Sequence, residues 1–551
     1  MLSKRLLLQL LLVGILFMAP LYAEQSAGVK NIILMIGDGM GIPHLTLSRW
    51  VKGAPLAMDP WICGLVRTYN SDTPIADSAP AATAMATGFK SVPGRIAVRP
   101  EKVLMPGLEG KQAADPRNTP LVTILEAARL AGKATGIVAT SEIEHATPAA
   151  FSAHCISRKD YEIIAEQQVY NGLDLAFGGG LKYLKRGERK DGDDLLRELD
   201  KLGYEILQDR AALLAADRLP VFGLFAELDL AFDIDRPDTQ PSLAEMTAKA
   251  VDLLKADPDG FFLMVEGSKI DWAAHANDPA GLTGDILAFD KAIQAALDFA
   301  QKNGETAVIV TADHSTGGLS IGDASTHHSY ESTGLETFLE PIRKARRSVE
   351  GVEKEILAAG DVDPGSIRSQ VKQWMGMELT RDERLSLEDY FRKRKTGSKS
   401  YNNLLGPILS RRARLGWTTH GHTGGDVVLA VYHPKNDRPT GLIENTSINE
   451  YMQKVLGLDL ASLNRTLYLP VDELFAATGV EASIDLSSPE NPVLRVKKNG
   501  HTLRLAANRN IADIDGKMVR LKTLTVFNGK EFFIPKEAAN LIVSIAKESG
   551  R

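Results

Sequence analysis

An α/β fold, with a mostly parallel central sheet sandwiched by helices, is predicted by three features: short apolar runs, amphipathic segments between them, and polar clusters just after them. The runs Ile32–Ile36, Thr135–Thr140, Leu173–Phe177, Phe261–Val265 and Thr306–Val310 have strand length and little alternation, as strands buried on both faces require. Leu121–Ala131, Leu243–Lys255 and Leu282–Ala300 repeat apolar residues with a helical period. Strand and helix in alternation give a parallel sheet, and such sheets gather their working groups beyond the carboxyl ends of the strands.

Composition narrows the class. The 551 residues allow a large core plus a smaller unit, and 24% charged with 44% hydrophobic residues is a soluble globular balance. A formal net charge of −6 offers no basic field, so nucleic-acid binding is set aside. At the N-terminus, Lys4 and Arg5 precede an apolar run from Leu6 to Met18, and small Ala23 precedes polar Glu24 and Gln25. This reads as a signal peptide over 1–23, its apolar core shorter than the roughly 20 residues of a membrane span. A periplasmic or secreted protein with no transmembrane anchor after cleavage is expected. Cys63 and Cys155 are the only cysteines, and their pairing is left open.

Each element ends in reactive residue types. The first run enters GDGMG, whose Asp38 would set a bare charge where a dinucleotide loop needs a pyrophosphate, so that reading is rejected. Asp38 is a metal ligand or a turn former. In IADSAPAATAMATG, Ser78 stands at a helix start, where backbone N–H groups and the macrodipole favour an anion; it is a cap or a nucleophile. The second run is followed by His145, Thr147, His154 and Arg158. His154 is read as structural. Phe261–Val265 runs into Glu266, then Asp271 and His275, four apart and so on one helix face; Thr306–Val310 leads to Asp313 and His314. Carboxylate and imidazole sets beside a serine oxygen fit zinc, and oxygen-rich sets with Thr and Glu fit magnesium.

From about 325 to 414 the pattern becomes charged and helical, with a capping box from Thr380 to Glu383, and reads as an insertion beside the site. Sheet patterning resumes at Val427–Tyr432, after WTTHGHTGGD with His420 and His422. From 463 to 551 the character changes: Asn499-Gly500, Asp515-Gly516 and Asn528-Gly529 are hairpin turns between alternating segments, giving a small α+β domain after a catalytic domain over 24–462.

Together the stretches GDGMG, ADSAPAATAMATG, HATPAAFSAHCISR, VEGSKIDWAAHAND, TADHSTGG and HGHTGGD closely resemble the alkaline phosphatase family, over about Lys30 to Met452. The resemblance implies a metal-dependent phosphomonoesterase acting on phosphate monoesters through a phosphoserine, with two zinc ions and one magnesium. One zinc would be held by Asp271, His275 and His422, and the other by Asp38, Asp313, His314 and the Ser78 oxygen. The magnesium would be held by Asp38, His145, Thr147 and Glu266, and Arg158 would bind phosphate. His422, not His420, opens the His-Thr-Gly motif. His145 stands where relatives carry aspartate, and Trp272 where lysine or histidine occurs. Four carboxylates and a serine alkoxide would neutralise five of the six charges of three divalent cations, and Arg158 would leave the pocket cationic.

A phosphodiesterase or sulfatase with the same ligation is the neighbouring alternative, and a cell-surface binding protein with structural metals the distant one. The tail, with NGK followed by FFIP, resembles the small domain named after the N-terminal region of copper amine oxidases. His501 is its only histidine, so no copper is expected. Contact of this domain with the cell surface or another protein is a further expectation, and a homodimer is left open.

Overall fold

The computed structural model describes residues 28–541 apart from 109, 111, 360–362, 396–403 and 477–479; the segment 1–23 lies outside them. Ten strands form the central sheet. Eight are labelled here: β1 (Asn31–Gly37), β2 (Ile62–Arg67), β3 (Ala134–Glu142), β4 (Leu175–Gly179), β5 (Glu205–Leu207), β6 (Val221–Leu224), β7 (Phe261–Gly267) and β8 (Thr306–Thr311). Strands Val427–Tyr432 and Gly441–Glu444 complete it. From one edge the order is Gly441–Glu444, β2, Val427–Tyr432, β8, β1, β7, β3, β4, β6, β5. Only Val427–Tyr432 runs against its neighbours, β2 and β8, so the mostly parallel reading holds.

The centre is what the apolar runs dictate. Every residue of β1, β7 and β8 is buried, each of the larger aliphatics contributing on the order of 1.5–3 kcal/mol of burial. Because β8, β1, β7 and β3 are adjacent and parallel, their carboxyl ends open on one edge. The strands without a clear sequence signal lie toward the sheet's margins: β2 is largely half-exposed, and β5 and β6 are only three and four residues long. Helices Leu243–Leu254 and Pro279–Asn303 cover the sheet, the first closed by a Ser242–Glu245 capping box.

Beyond β8, helices Leu335–Lys344, Val349–Ala358, Pro364–Met375, Arg381–Lys395 and Leu405–Arg412 follow one another. The tail forms a five-stranded antiparallel meander from Glu481 to Arg520 around Leu494, Val496, Leu503, Leu505 and Phe532. Its turn at Asn499-Gly500 has φ of 48° and 86°, the left-handed pair that a two-residue hairpin needs. Among the described residues no helix is long and apolar enough to cross a membrane.

Candidate active site

Asp38 follows β1 directly, in a turn that only glycine permits at position 39. Gly39 has φ +67°, its amide donates to Asp313 Oδ1 at 3.0 Å, and a Cβ there would lie 2.6 Å from Asp271 Oδ1. The turn thus lets the loops after β1, β7 and β8 meet. Glu266 sits on β7 itself, and helix Lys269–His275 places Asp271 and His275 one turn apart. After β3, His145 is the N-cap of helix Ala146–Ser152, with Thr147 in its first turn. A two-residue pairing of His422–Thr423 with Ser315–Thr316 carries His422 in from the far side.

Three sets of donors result, each with ligand atoms within 4.8 Å of one another: Asp271, His275 and His422; Asp38, Asp313 and His314; Asp38, His145 and Glu266. Asp38 belongs to two of them. Ser78, buried at the first position of helix Ser78–Thr87, has its Oγ 3.1 Å from His314 Nε2. That nitrogen also lies 3.1 Å from Asp313 Oδ2 and 3.4 Å from Asp38 Oδ1. The His314 and His422 rings stack at 3.7 Å.

The imidazole tautomers are set from behind. His422 Nδ1 faces the Ala76 carbonyl at 2.8 Å and His275 Nδ1 faces the His420 carbonyl, so both Nε2 atoms turn inward, 3.1 Å apart and beside Asp271. Carbonyls fixing the outer nitrogen are the usual backing of metal-ligating histidines. His420 turns its own Nδ1 to the His275 carbonyl at 2.8 Å and stays out of the donor sets, leaving His422 as the member that the His-Thr-Gly motif singles out.

Whether these residues suit cations is tested by their missing partners. Both oxygens of Asp38, Asp313 Oδ2, Glu266 Oε1, His145 Nδ1 and Thr147 Oγ1 are buried without a hydrogen bond. Buried polar atoms are rarely left so, since each bare one costs about 1–3 kcal/mol. Protonation shows the same need for positive charge. Burial, followed by the Asp313, Asp271 and Glu266 carboxylates, raises Asp38 well above the ordinary range, and burial lifts Glu266 to about 8. Burial opposes the charge on Asp271 and Asp313 too, but neighbouring histidines outweigh it and hold both low. Asp271 in turn overcomes the burial of His275 and pushes it up to about 9. The carboxylates outnumber the positive charge available to them, a deficit that divalent cations fit.

Arg158 closes the anion side. It donates to Asp77 Oδ1, its second terminal nitrogen lies 3.0 Å from His145 Nε2, and Asp77 Oδ2 accepts from the Gly94 amide at 2.9 Å. Burial, then Arg158, depresses His145 to about 3, so the ring is neutral. Asp77, the N-cap residue before Ser78, carries no functional signal of its own in the sequence; its pairing with Arg158 removes one positive charge from the pocket. Thr316 was also missed. Its hydroxyl donates to Asp271 Oδ1 and lies 3.2 Å from His314 Nδ1, joining the Asp271 set to the His314 set, and its only signal is its place in TADHSTGG. His154, past the helix end at Ser152, is buried against Glu126 and joins no donor set. Cys63 and Cys155 are both free.

A parallel sheet whose central loops gather three donor sets beside a serine at a helix N-terminus and an arginine is the architecture of a metal-assisted phosphate-ester hydrolase. A family model described as alkaline phosphatase matches residues 29–458, and the chain belongs to that family. It is 39% identical over 443 residues to alkaline phosphatase 3 of Bacillus subtilis (strain 168), covering 78% of this chain and 89% of that one. The crystal structure of the cold-active alkaline phosphatase from a psychrophilic Shewanella sp. superposes with a TM-score of 0.66 at 33% identity, over 77% of this chain and 99% of the other. A histidine-to-aspartate mutant of the alkaline phosphatase from the Antarctic bacterium TAB5, with magnesium bound in its M3 site, gives 0.54 at 27% identity, over 78% and 99%. The protein is accordingly a metal-dependent hydrolase of phosphate monoesters.

Proposed function

We propose that Ser78 is the nucleophile and Arg158 the phosphate-binding residue. In this reading Asp271, His275 and His422 hold one zinc, and Asp38, Asp313, His314 and the Ser78 oxygen hold a second. Asp38, His145, Thr147 and Glu266 hold magnesium. The observation that carries the reading is Asp38: a fully buried carboxylate with both oxygens bare, shared by two donor sets, on the residue after β1. When bound, the cations supply the charge that ionises the Ser78 hydroxyl and balances the departing alkoxide and the incoming water.

The chain's own groups do the rest. Helix Ser78–Thr87 presents the seryl oxygen at its N-terminus, where the first amides have no intrahelical acceptor and face the anion. Ser78 Oγ attacks phosphorus in line; the ester P–O bond breaks with its electron pair on the alcohol oxygen, which takes a proton from solvent, leaving a phosphoserine. Water then attacks phosphorus opposite the seryl oxygen, giving up a proton; the Oγ–P bond breaks with its electron pair on Oγ, which returns Ser78 and frees inorganic phosphate. The planar fork of Arg158 holds two phosphate oxygens through both steps. Asp77 aims that fork and lowers its net charge, which favours release of the phosphate product.

Anomalous diffraction at the zinc edge from metal-loaded crystals tests the ligand sets. Two zinc peaks are expected, one in the Asp271, His275 and His422 set and one in the Asp38, Asp313 and His314 set; peaks elsewhere refute the assignment. At the third set, His145 replaces a carboxylate with a neutral nitrogen, which suits magnesium less than oxygen does. His145→Asp is expected to lower the magnesium concentration for half-maximal activity by about tenfold. The magnesium in the M3 site of the TAB5 mutant, where aspartate replaced a histidine, runs the same way. The signal pattern over 1–23 supports a periplasmic or secreted location, testable by fractionation of expressing cells.

A further inference from the structure

The reaction centre lines only part of its cleft. The whole cleft measures about 870 Å³, near the upper end of the roughly 300–1,000 Å³ typical of small-molecule sites, and far more than a phosphate group fills. Ser78, Arg158 and His145 line that part. Further lining comes from Phe232, from Trp272, whose ring meets that of His145 edge-on at 5.8 Å, and from the helices Val349–Ala358 and Arg381–Lys395, which contribute Val349, Leu357 and Tyr390.

The polar heads on this wall are engaged with one another. Tyr390 donates to Glu353 Oε2 at 3.1 Å, and Arg394 Nε donates to Glu353 Oε1 at 2.6 Å, tying the two insertion helices together. Lys354 pairs with Glu350 at 2.6 Å. Lys354 and Arg394 are thus each matched by a carboxylate, and the partly exposed carbon surface of Trp272 and Leu357 is left for a ligand, backed by buried Phe232 and Val349. Phe232 and Trp272 share the buried Lys269 ammonium, 4.7 and 3.9 Å from their ring centroids, and Asp229 pairs with that ammonium. The two rings are therefore fixed by a cation that adds no net charge, a preorganised aromatic surface.

We propose that this wall is a leaving-group subsite for a neutral, ring-bearing alcohol of nucleoside size, built jointly by the insertion helices and by Phe232 and Trp272 outside them. The assignment rests on the phosphomonoesterase reading. A pocket with apolar walls and neutralised rim gains from a flat apolar ring and gains little from a short polyol, which stays hydrated.

The test compares adenosine 5′-monophosphate with glycerol 1-phosphate on the metal-loaded enzyme. Both esters leave as primary alcohols, so the chemical step is matched and kcat/KM reports recognition. The nucleotide is expected to be favoured about tenfold, the equivalent of one good apolar contact surface. Leu357→Ala should lower kcat/KM for the nucleotide about threefold more than for glycerol 1-phosphate. Leu357→Trp, which fills the subsite, should lower it about tenfold more, mainly through KM. Equal turnover of the two esters by the wild type, or variants that depress both alike, would overturn the subsite and leave the phosphatase reading standing. Failure to hydrolyse either ester would overturn both.

Discussion

Two buried clusters of this molecule pair a carboxylate with a histidine, and they differ in what surrounds them. In the seam between the catalytic part and the tail, Glu126 Oε1 accepts from His154 Nε2 at 3.0 Å and from the Tyr468 hydroxyl, and Oε2 accepts from the Thr123 amide at 2.9 Å. His154 Nδ1 faces the Ala97 carbonyl at 3.1 Å. Every polar atom of the pair is answered by protein. Beside Ser78, by contrast, Asp38, Asp313 and Glu266 keep bare oxygens within reach of several histidines and of one another. The residue types match; satisfaction does not. A completed hydrogen-bond set marks a structural histidine, and an incomplete one marks a place for a cation.

Removing the nucleophile separates the clusters most sharply. Ser78→Ala is expected to cost at least about 10³-fold in turnover of a nitrophenyl phosphate, with zinc content and melting temperature largely retained, because Asp38, Asp313 and His314 still hold the second zinc when the seryl oxygen is lost. Near-wild-type turnover would mean that Ser78 merely caps its helix. At the seam the effect should fall on stability alone. His154→Ala strands the Glu126 carboxylate and should cost about 3 kcal/mol in denaturant unfolding, with kcat/KM unchanged.

The donor pocket should answer in the opposite sense once metals are removed. In chelator-treated protein, Asp38→Asn relieves carboxylate repulsion and is expected to stabilise the fold by about 1–2 kcal/mol, while the same change abolishes activity in the loaded enzyme. Unfolding of the apo and loaded forms side by side reads both signs.

Acidity gives a smaller and graded contrast. In metal-free protein Glu266 keeps its proton up to about pH 8, whereas the unfolded chain releases it near 4.5. The folded state therefore binds more protons across that window, and the apo melting temperature should fall as pH rises through it. Glu126 has the reverse sign. Burial would raise it, but His154 and the Thr123 and Tyr468 bonds hold it low, so its stabilisation is present above about 4.5 and is lost as pH falls below that value. Metal loading should flatten the first slope and leave the second. The smallest expected effect is Tyr468→Phe, about 1 kcal/mol with unaltered turnover.

Much of this was legible in the chain. The runs before Asp38, Glu266 and Asp313 are strands because uninterrupted apolar residues of that length have nowhere to go but a sheet buried on both faces. The marginal strands β2, β5 and β6 were not legible, being short or half-exposed, with too few apolar residues to carry a period. Asp77 and Thr316 escaped because their partners, Arg158 and Asp271, lie far along the chain. Cys63 and Cys155 could have paired on sequence alone; one lies in β2 and the other is bridged to Ile96, and both remain thiols.

By itself the sequence determined the α/β class, a glycine-rich turn after the first strand, and the inventory of oxygen and nitrogen donors, since these follow from local sterics and side-chain chemistry. Only the tertiary structure decided that Asp38 serves two donor sets, that His422 and not His420 turns inward, and that insertion helices line part of the cleft. Those outcomes depend on which loops the order of parallel strands brings together, a matter of packing between segments hundreds of residues apart that no local pattern encodes.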